Sequence, residues 1–257
     1  MAAPQLETRD LSIRFGGHQA VDRVSATFHA GTLTAIVGPN GAGKTTYFNL
    51  ISGQLPATAG QVLLDGKDIT KFGAARRTRL GVGRAFQLTN LFPNLSVHEN
   101  VRLAVQARAG GGGNITQRWK SRSDWIDQAD GLLAATRLAD QRDVLALALA
   151  HGDQRKLEVA IMMALEPKVL MFDEPTAGMS VADVPVVLDL IKRLKAEGNR
   201  AILLVEHKME VVRSLADRIV VLHNGRLVAD GRPADVIGSA IVQQAYLGAA
   251  TGSAGDD

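Results

Sequence analysis

The 257-residue sequence predicts an α/β fold with a mixed sheet and a helical insertion, and three observations carry that expectation. Short β-branched apolar runs alternate with amphipathic stretches toward both ends of the chain, as strands and helices of one layered sheet do. An early run ends in a glycine-rich loop that leads directly into a helical stretch. Between residues 94 and 165 the strand signals thin out and helical periodicity takes over.

Taken in order, residues 5–15 and 24–29 alternate like strands, with Gly16-Gly17 as the turn between them. Residues 32–37 form a buried run that stops at Gly38, and 44–51 form a helix closed by Gly53. Residues 61–64 and the Asp65-Gly66 turn predict a further hairpin. Four glycines at 110–113 break the middle of the chain as a flexible loop, and 124–138 and 153–165 read as amphipathic helices. After Pro167 the alternation returns, with strands at 169–172 and 201–205 and helices at 181–197 and 209–216. Residues 219–222, Asn224-Gly225 and 227–229 read as a hairpin. The expected organisation is a core over 1–93 and 166–257 that includes an antiparallel β subdomain. A helical subdomain over 94–165 is inserted into it, and 251–257 form a frayed polar tail.

Composition narrows the function classes. Apolar residues make up 46% and charged residues 21%, a globular balance that argues against disorder. There is no cysteine, which excludes disulfides and thiolate metal sites and fits a reducing compartment. No apolar run approaches the ~18 residues of a membrane span, and the first residues lack the basic and apolar regions of a secretory signal, so any membrane role is expected to come through other chains. A net charge of +3 is too small to mark a nucleic-acid binder, although Arg76, Arg77 and Arg79, and again Arg118, Lys120 and Arg122, cluster locally. Such clusters read as solvated faces, or as contacts to anionic headgroups or a partner subunit.

Gly38-Pro39-Asn40-Gly41-Ala42-Gly43-Lys44-Thr45 has the phosphate-binding P-loop spacing in the strand–loop–helix context that the motif needs. Its glycines let backbone N–H groups turn inward around phosphates, and the helix behind them adds its dipole. Lys44 supplies a point charge for the β- and γ-phosphates, the Thr45 hydroxyl is placed for Mg²⁺, and Thr46 completes the run. Val169-Leu170-Met171-Phe172-Asp173-Glu174 is the natural companion. Its apolar strand delivers Asp173 to the metal, directly or through water, and Glu174 to an attacking water as general base. Together they predict a nucleotide site in a P-loop NTPase core.

A third motif, Ala148-Leu149-Ala150-His151-Gly152-Asp153-Gln154-Arg155, runs into a helix. With it the chain resembles the ABC-type ATPases over nearly its whole length. That resemblance implies ATP and Mg²⁺ as ligands, sandwiched between two ATPase subunits, with Ala150, His151, Gly152 and Asp153 facing the partner's nucleotide. It assigns Gln87 to sensing Mg²⁺ and water, His207 to the γ-phosphate and to holding Glu174 and water, and Phe15 to stacking on adenine. Three positions depart from the common family form. Ala150 stands in place of a serine that contacts phosphate, His151 in place of a glycine, and Asp153 in place of a glutamine, which puts an acidic group near the phosphates. Ser180 replaces the usual aspartate of the cross-dimer loop and could instead cap a helix beginning at Val181.

Local similarity goes further. Leu149-Ala150-His151-Gly152, Ala177-Gly178-Met179-Ser180, Phe86-Gln87-Leu88-Thr89-Asn90-Leu91-Phe92, the segment 110–125 and Gln244-Ala245-Tyr246-Leu247-Gly248 are similar to ATPase subunits of branched-chain amino acid importers and their urea and amide relatives. The resemblance implies two membrane-spanning permease subunits, a second ATPase subunit (non-identical or a second copy), an external solute-binding protein, and no nucleic acid. It places the chain peripherally on the cytoplasmic face of the inner membrane, with a permease helix docked near residues 87–94. The alternatives are an exporter ATPase of the lipid or lipopolysaccharide type, which shares every catalytic motif, and a soluble nucleic-acid-linked ATPase. The latter usually carries two cassettes or long coiled-coil insertions, neither of which this chain has.

Overall fold

The computed structural model describes residues 3–85, 91–110 and 123–239. Along the chain run β1 (Leu6–Phe15), β2 (His18–Phe28), β3 (Leu33–Val37), α1 (Lys44–Ser52), β4 (Ala59–Leu64), β5 (Lys67–Asp68), α2 (Ala74–Leu80) and β6 (Val82–Ala85). There follow α3 (Val97–Arg108), α4 (Ser123–Ala135), α5 (His151–Leu165), β7 (Val169–Asp173), α6 (Val184–Ala196), β8 (Ala201–Val205), α7 (Met209–Leu215), β9 (Arg218–His223), β10 (Arg226–Gly231) and α8 (Pro233–Ile237). The chain divides into two compact units. One comprises 1–82, 168–174 and 195–257, and the other 83–167 and 175–194. Among the described residues no helix is long and apolar enough to cross a membrane.

The first unit holds two sheets. One is antiparallel, in the order β2-β1-β4-β5, and the other runs β10-β9-β3-β8-β7 with β3 parallel to β8 and β9 and β7 parallel to β8. Every residue of β3, β7 and β8 is buried, as expected of parallel strands covered on both faces. One apolar cluster joins Leu6, Val24 and Phe28 of the antiparallel sheet to Phe48 and Ile51 of α1 and to Ile36, Met171 and Val220 of the parallel one. Buried Tyr47 belongs to the same cluster, and its hydroxyl lies 2.7 Å from Thr8 Oγ1, so its polar tip is not left unpaired. β2 begins at His18 rather than at residue 24. Its first half lacks clean alternation because the β1–β2 register shifts three times, with Asp10 and Arg23 in the left-handed region.

The cluster at Arg76, Arg77 and Arg79 is not one solvated face. Arg77 is 1% exposed. Its guanidinium donates to the carbonyls of Leu50, Ile51, Thr70 and Phe72 at 2.6–2.8 Å. Two of these acceptors belong to the last turn of α1, whose carbonyls have no intrahelical partner, so a cation there also meets the negative end of the helix dipole. Burial lowers the Arg77 pKa to about 10, with Asp68 opposing, and the group stays cationic at neutral pH. The second basic cluster, at Arg118, Lys120 and Arg122, lies outside the described residues, as do the 251–257 tail and the 244–248 ending.

The second unit packs α3, α4 and α5 around Val97, Val101, Trp125, Leu133, Leu157 and Ala160. Ser96 caps α3 by accepting from Glu99 N at 3.1 Å. Two helix starts differ from the sequence expectation. α5 begins at His151 instead of 153, because Gln154 N already closes a turn on Ala150 O and its amide side chain bonds Leu149 O. α6 begins at Val184 instead of Val181. Ser180 and Asp183 form a closed turn first, and Val181 is 92% exposed.

Candidate functional site

The glycine-rich loop leaves the carboxyl end of β3 and enters α1, and two of its glycines are dictated by sterics. A Cβ on Gly38 would stand 2.1 Å from Leu222 O, and one on Gly43, at φ +94°, would stand 2.4 Å from Ala20 O. Both obstacles are backbone and cannot swing away. Lys44 follows as the first residue of α1 and folds back, its ammonium donating to Gly38 O at 2.7 Å and Pro39 O at 2.8 Å. Burial lowers its pKa, while the Glu174 and Asp173 carboxylates pull the other way. Gly43→Ala is expected to cost about 1–3 kcal/mol as a strained left-handed residue, and to weaken nucleotide binding at least tenfold. Denaturant unfolding and nucleotide titration of the variant check this.

Strand register brings the remaining groups to the same end of the sheet. Asp173 of β7 pairs with Val205 of β8, and Ile36 of β3 pairs with the same Val205, so the residues following each strand emerge side by side. The carboxyl ends of parallel strands are where ligands sit in such sheets. Glu174, in the left-handed region at φ +50°, is held there by its N–H to Val205 O at 2.9 Å. That strained turn aims its carboxylate at His207, with Oε1 and Nε2 2.8 Å apart. Glu206 fixes the other side of the turn by accepting from His207 N at 2.8 Å.

Glu174 and His207, with residues 40–46, line a cleft of about 420 Å³ whose far wall is Phe15, His18 and Ala20. The two-residue Gly16-Gly17 turn makes Phe15 and His18 direct cross-strand neighbours, which presents both side chains at the mouth. Phe15 is 49% exposed, so its ring is a free platform and not core filling. A π-face, a glycine loop rich in N–H groups, a lysine and a carboxylate–imidazole pair in one cleft suit a purine triphosphate.

In the second unit, Ala150 occupies the N-cap of α5 with no side-chain cap, and His151, Gly152 and Asp153 form its first turn. Asp153, the acidic group that the sequence places in this turn, has a partner on each carboxylate oxygen. Lys156 Nζ reaches its Oδ1 at 2.8 Å and Gln141 Nε2 its Oδ2 at 2.8 Å. His151 packs against Gly178, where a Cβ would come within 3.1 Å of its ring.

The family profile described as "ABC transporter" matches residues 21–177, more than half of the chain. This chain belongs to the ABC transporter family. Its cassette is 35% identical over 255 residues to the high-affinity branched-chain amino acid transport ATP-binding protein LivG of Escherichia coli K12, covering 97% of this chain and all of that one. BraF of Pseudomonas aeruginosa, a protein of the same description, is 36% identical over 256 residues, again covering 97% and 100%. A crystal structure of the ADP conformation of an ABC transporter's ATP-binding cassette superposes with a TM-score of 0.81 at 27% identity, covering 96% of this chain and 100% of the other. A nucleotide-free cassette gives 0.80 at 27%, covering 95% and 98%. ATP binding comes with this membership.

Within the ABC cassette the structure gathers Phe15, Asn40, Gly41, Ala42, Gly43, Lys44, Thr45, Thr46, Glu174 and His207 at one cleft. Gly38 and Pro39 hold Lys44 from behind, and Asp173 ends β7 next to Glu174. Ala150, His151, Gly152 and Asp153 stand together in the other unit. Gln87 lies outside the described residues. Sequence reasoning missed His18, because a polar residue after a glycine turn carries no pattern of its own. It also missed Lys156, whose two acidic partners are 3 and 27 residues away.

Proposed function

We propose that this chain is the ATP-hydrolysing subunit of an importer for branched-chain amino acids or related small polar solutes. The contact that carries the reading is Glu174 to His207, in the same cleft as Lys44 and Phe15. Glu174 takes a proton from the attacking water, and His207 orients the carboxylate and contacts the γ-phosphate. Lys44 turns from its backbone carbonyls to the β- and γ-phosphates, and Phe15 stacks on the adenine. Thr45 and Asp173 are hard oxygen donors of the kind Mg²⁺ takes, with Gln87 as the third group assigned to it. Bound there, Mg²⁺ would neutralise charge on the phosphates. Ala150, His151, Gly152 and Asp153 face the nucleotide of a second ATPase subunit.

Full-length likeness to LivG and BraF supports the importer reading and the solute class. The partners follow from it: two permease subunits in the membrane, a solute-binding protein outside, and a peripheral place for this chain on the cytoplasmic face. The second unit offers an apolar surface for a permease helix. Phe92, Leu145 and Leu147 are 56%, 46% and 55% exposed, and Leu147 N bonds Pro93 O so that the two segments lie together. Leu145→Ser with Leu147→Ser is expected to remove co-purifying permease subunits from native membranes while ATP binding persists. Isolation of the wild-type chain without any membrane-spanning protein, or ATPase activity raised by RNA, would sink the importer reading.

A further inference from the structure

Lys156 lies on the second turn of α5 with its side chain only 10% exposed, and it meets carboxylates from two separate segments. Its ammonium is 2.8 Å from Asp153 Oδ1, at the start of its own helix, and 2.9 Å from Asp183 Oδ1, in the turn before α6. Both remaining carboxylate oxygens are also taken. Gln141 Nε2 donates to Asp153 Oδ2 at 2.8 Å, and Ser180 Oγ donates to Asp183 Oδ2 at 2.7 Å. Each segment also packs a glycine closely against a side chain of the other. Asp183 Oδ2 lies 2.6 Å from where a Cβ on Gly152 would stand, and the His151 ring lies 3.1 Å from the corresponding point on Gly178. A side chain on Gly152 would displace the Asp183 carboxylate from its place, and one on Gly178, at φ +69°, would be backbone-strained as well as crowded by His151.

We infer that Lys156 is a positioning residue that locks residues 151–153 to the 178–183 turn, so that both present one rigid surface to the opposing nucleotide. The inference rests on the proposed ATPase reading. Two positions where the sequence departs from the common family form, Asp153 and Ser180, are both members of this network. The departures therefore rebuild the signature surface around Lys156 instead of degrading it. Burial works to lower the Lys156 pKa, but its hydrogen bonds to Asp153 and Asp183 outweigh it and leave the group above its ordinary value. The Asp183 carboxylate is correspondingly lowered, by Lys156 first and Ser180 second. Without the ammonium, two like charges face each other across the junction and the turn is released.

The nucleotide cleft lies in the other unit, so loss of the lock separates turnover from binding. In the intact transporter, Lys156→Met is expected to lower kcat for ATP about tenfold and to reduce the cooperativity of turnover in ATP. The affinity of a fluorescent ATP analogue for the isolated subunit stays within about twofold. Lys156→Arg, which can still bridge two carboxylates, restores most of kcat. Asp183→Asn, on the exposed side of the network, gives the same kcat-specific loss and serves as the readout if Lys156→Met does not fold. Wild-type kcat and cooperativity in Lys156→Met, or in Asp183→Asn if it replaces it, overturn the inference. A loss that Lys156→Arg does not rescue, or that tracks analogue affinity, overturns it too. Phosphate release by the wild-type transporter, run in parallel, tests the underlying reading: no ATP hydrolysis there removes the ATPase assignment itself, whereas full turnover in Glu174→Gln removes only Glu174 as its base.

Discussion

Glu174→Gln is expected to stop ATP turnover while leaving ATP binding intact. The side chain keeps its volume and can still hydrogen-bond His207 across the 2.8 Å contact, but an amide cannot accept a proton from water. General-base removal lowers rates by about 10²–10⁴-fold, so turnover should fall into background. Binding should persist because the phosphate contacts proposed above are assigned to residues 38–46, and not to Glu174. The φ of +50° at this position is tolerated equally badly by Glu and Gln, so no change in stability is expected to confuse the result. Steady-state phosphate release and nucleotide titration on the same preparation check this. Turnover within tenfold of wild type would remove Glu174 as the base.

Arg77→Met should cause the largest loss of stability of any single change considered. Methionine fills much of the volume but satisfies none of the four carbonyls at Leu50, Ile51, Thr70 and Phe72. Leaving buried acceptors unpaired costs about 1–3 kcal/mol each, and they are not additive, so a total on the order of 3–5 kcal/mol is expected. For a chain of this size that corresponds to a fall in Tm on the order of 10 °C. Arg77→Lys should recover only part of it, since one ammonium cannot reach a fork of acceptors on both sides. Because the freed carbonyls include the end of α1, whose other end carries the phosphate loop, nucleotide affinity should fall together with stability. Thermal unfolding within 2 °C of wild type would show that the four bonds contribute little.

The nucleotide motifs were legible because each is a local pattern with a local cause. Gly38 to Thr45 had the spacing that a phosphate loop needs, and an apolar run ending in Asp173-Glu174 could be a strand delivering two carboxylates. Even Phe15 was marked by the glycine turn behind it. The termination of α1 at Gly53 and the hairpins at Asp65-Gly66 and Asn224-Gly225 were legible for the same reason, since a positive φ selects glycine or asparagine and leaves a trace in the sequence. Helix starts were less legible. α5 begins at His151 and α6 at Val184 because of side-chain bonds from Gln154 and between Ser180 and Asp183, which compete with the periodic signal.

What only the tertiary structure decided are the long-range pairings of charged groups. In the sequence Arg77 is one of three nearby arginines and reads as surface. Folding buries it among carbonyls up to 27 residues distant. Asp153 reads as an acidic intrusion near phosphate, and folding neutralises it against Lys156. The sequence by itself determined that this chain has a glycine-rich loop with P-loop spacing, a strand ending in two carboxylates and a helix at the third motif, because hydrophobic period and glycine geometry act over a few residues. Which charges are solvent-facing and which are structural depends on register and packing between segments far apart in the chain, and a charge looks the same in either role until its partner is in place.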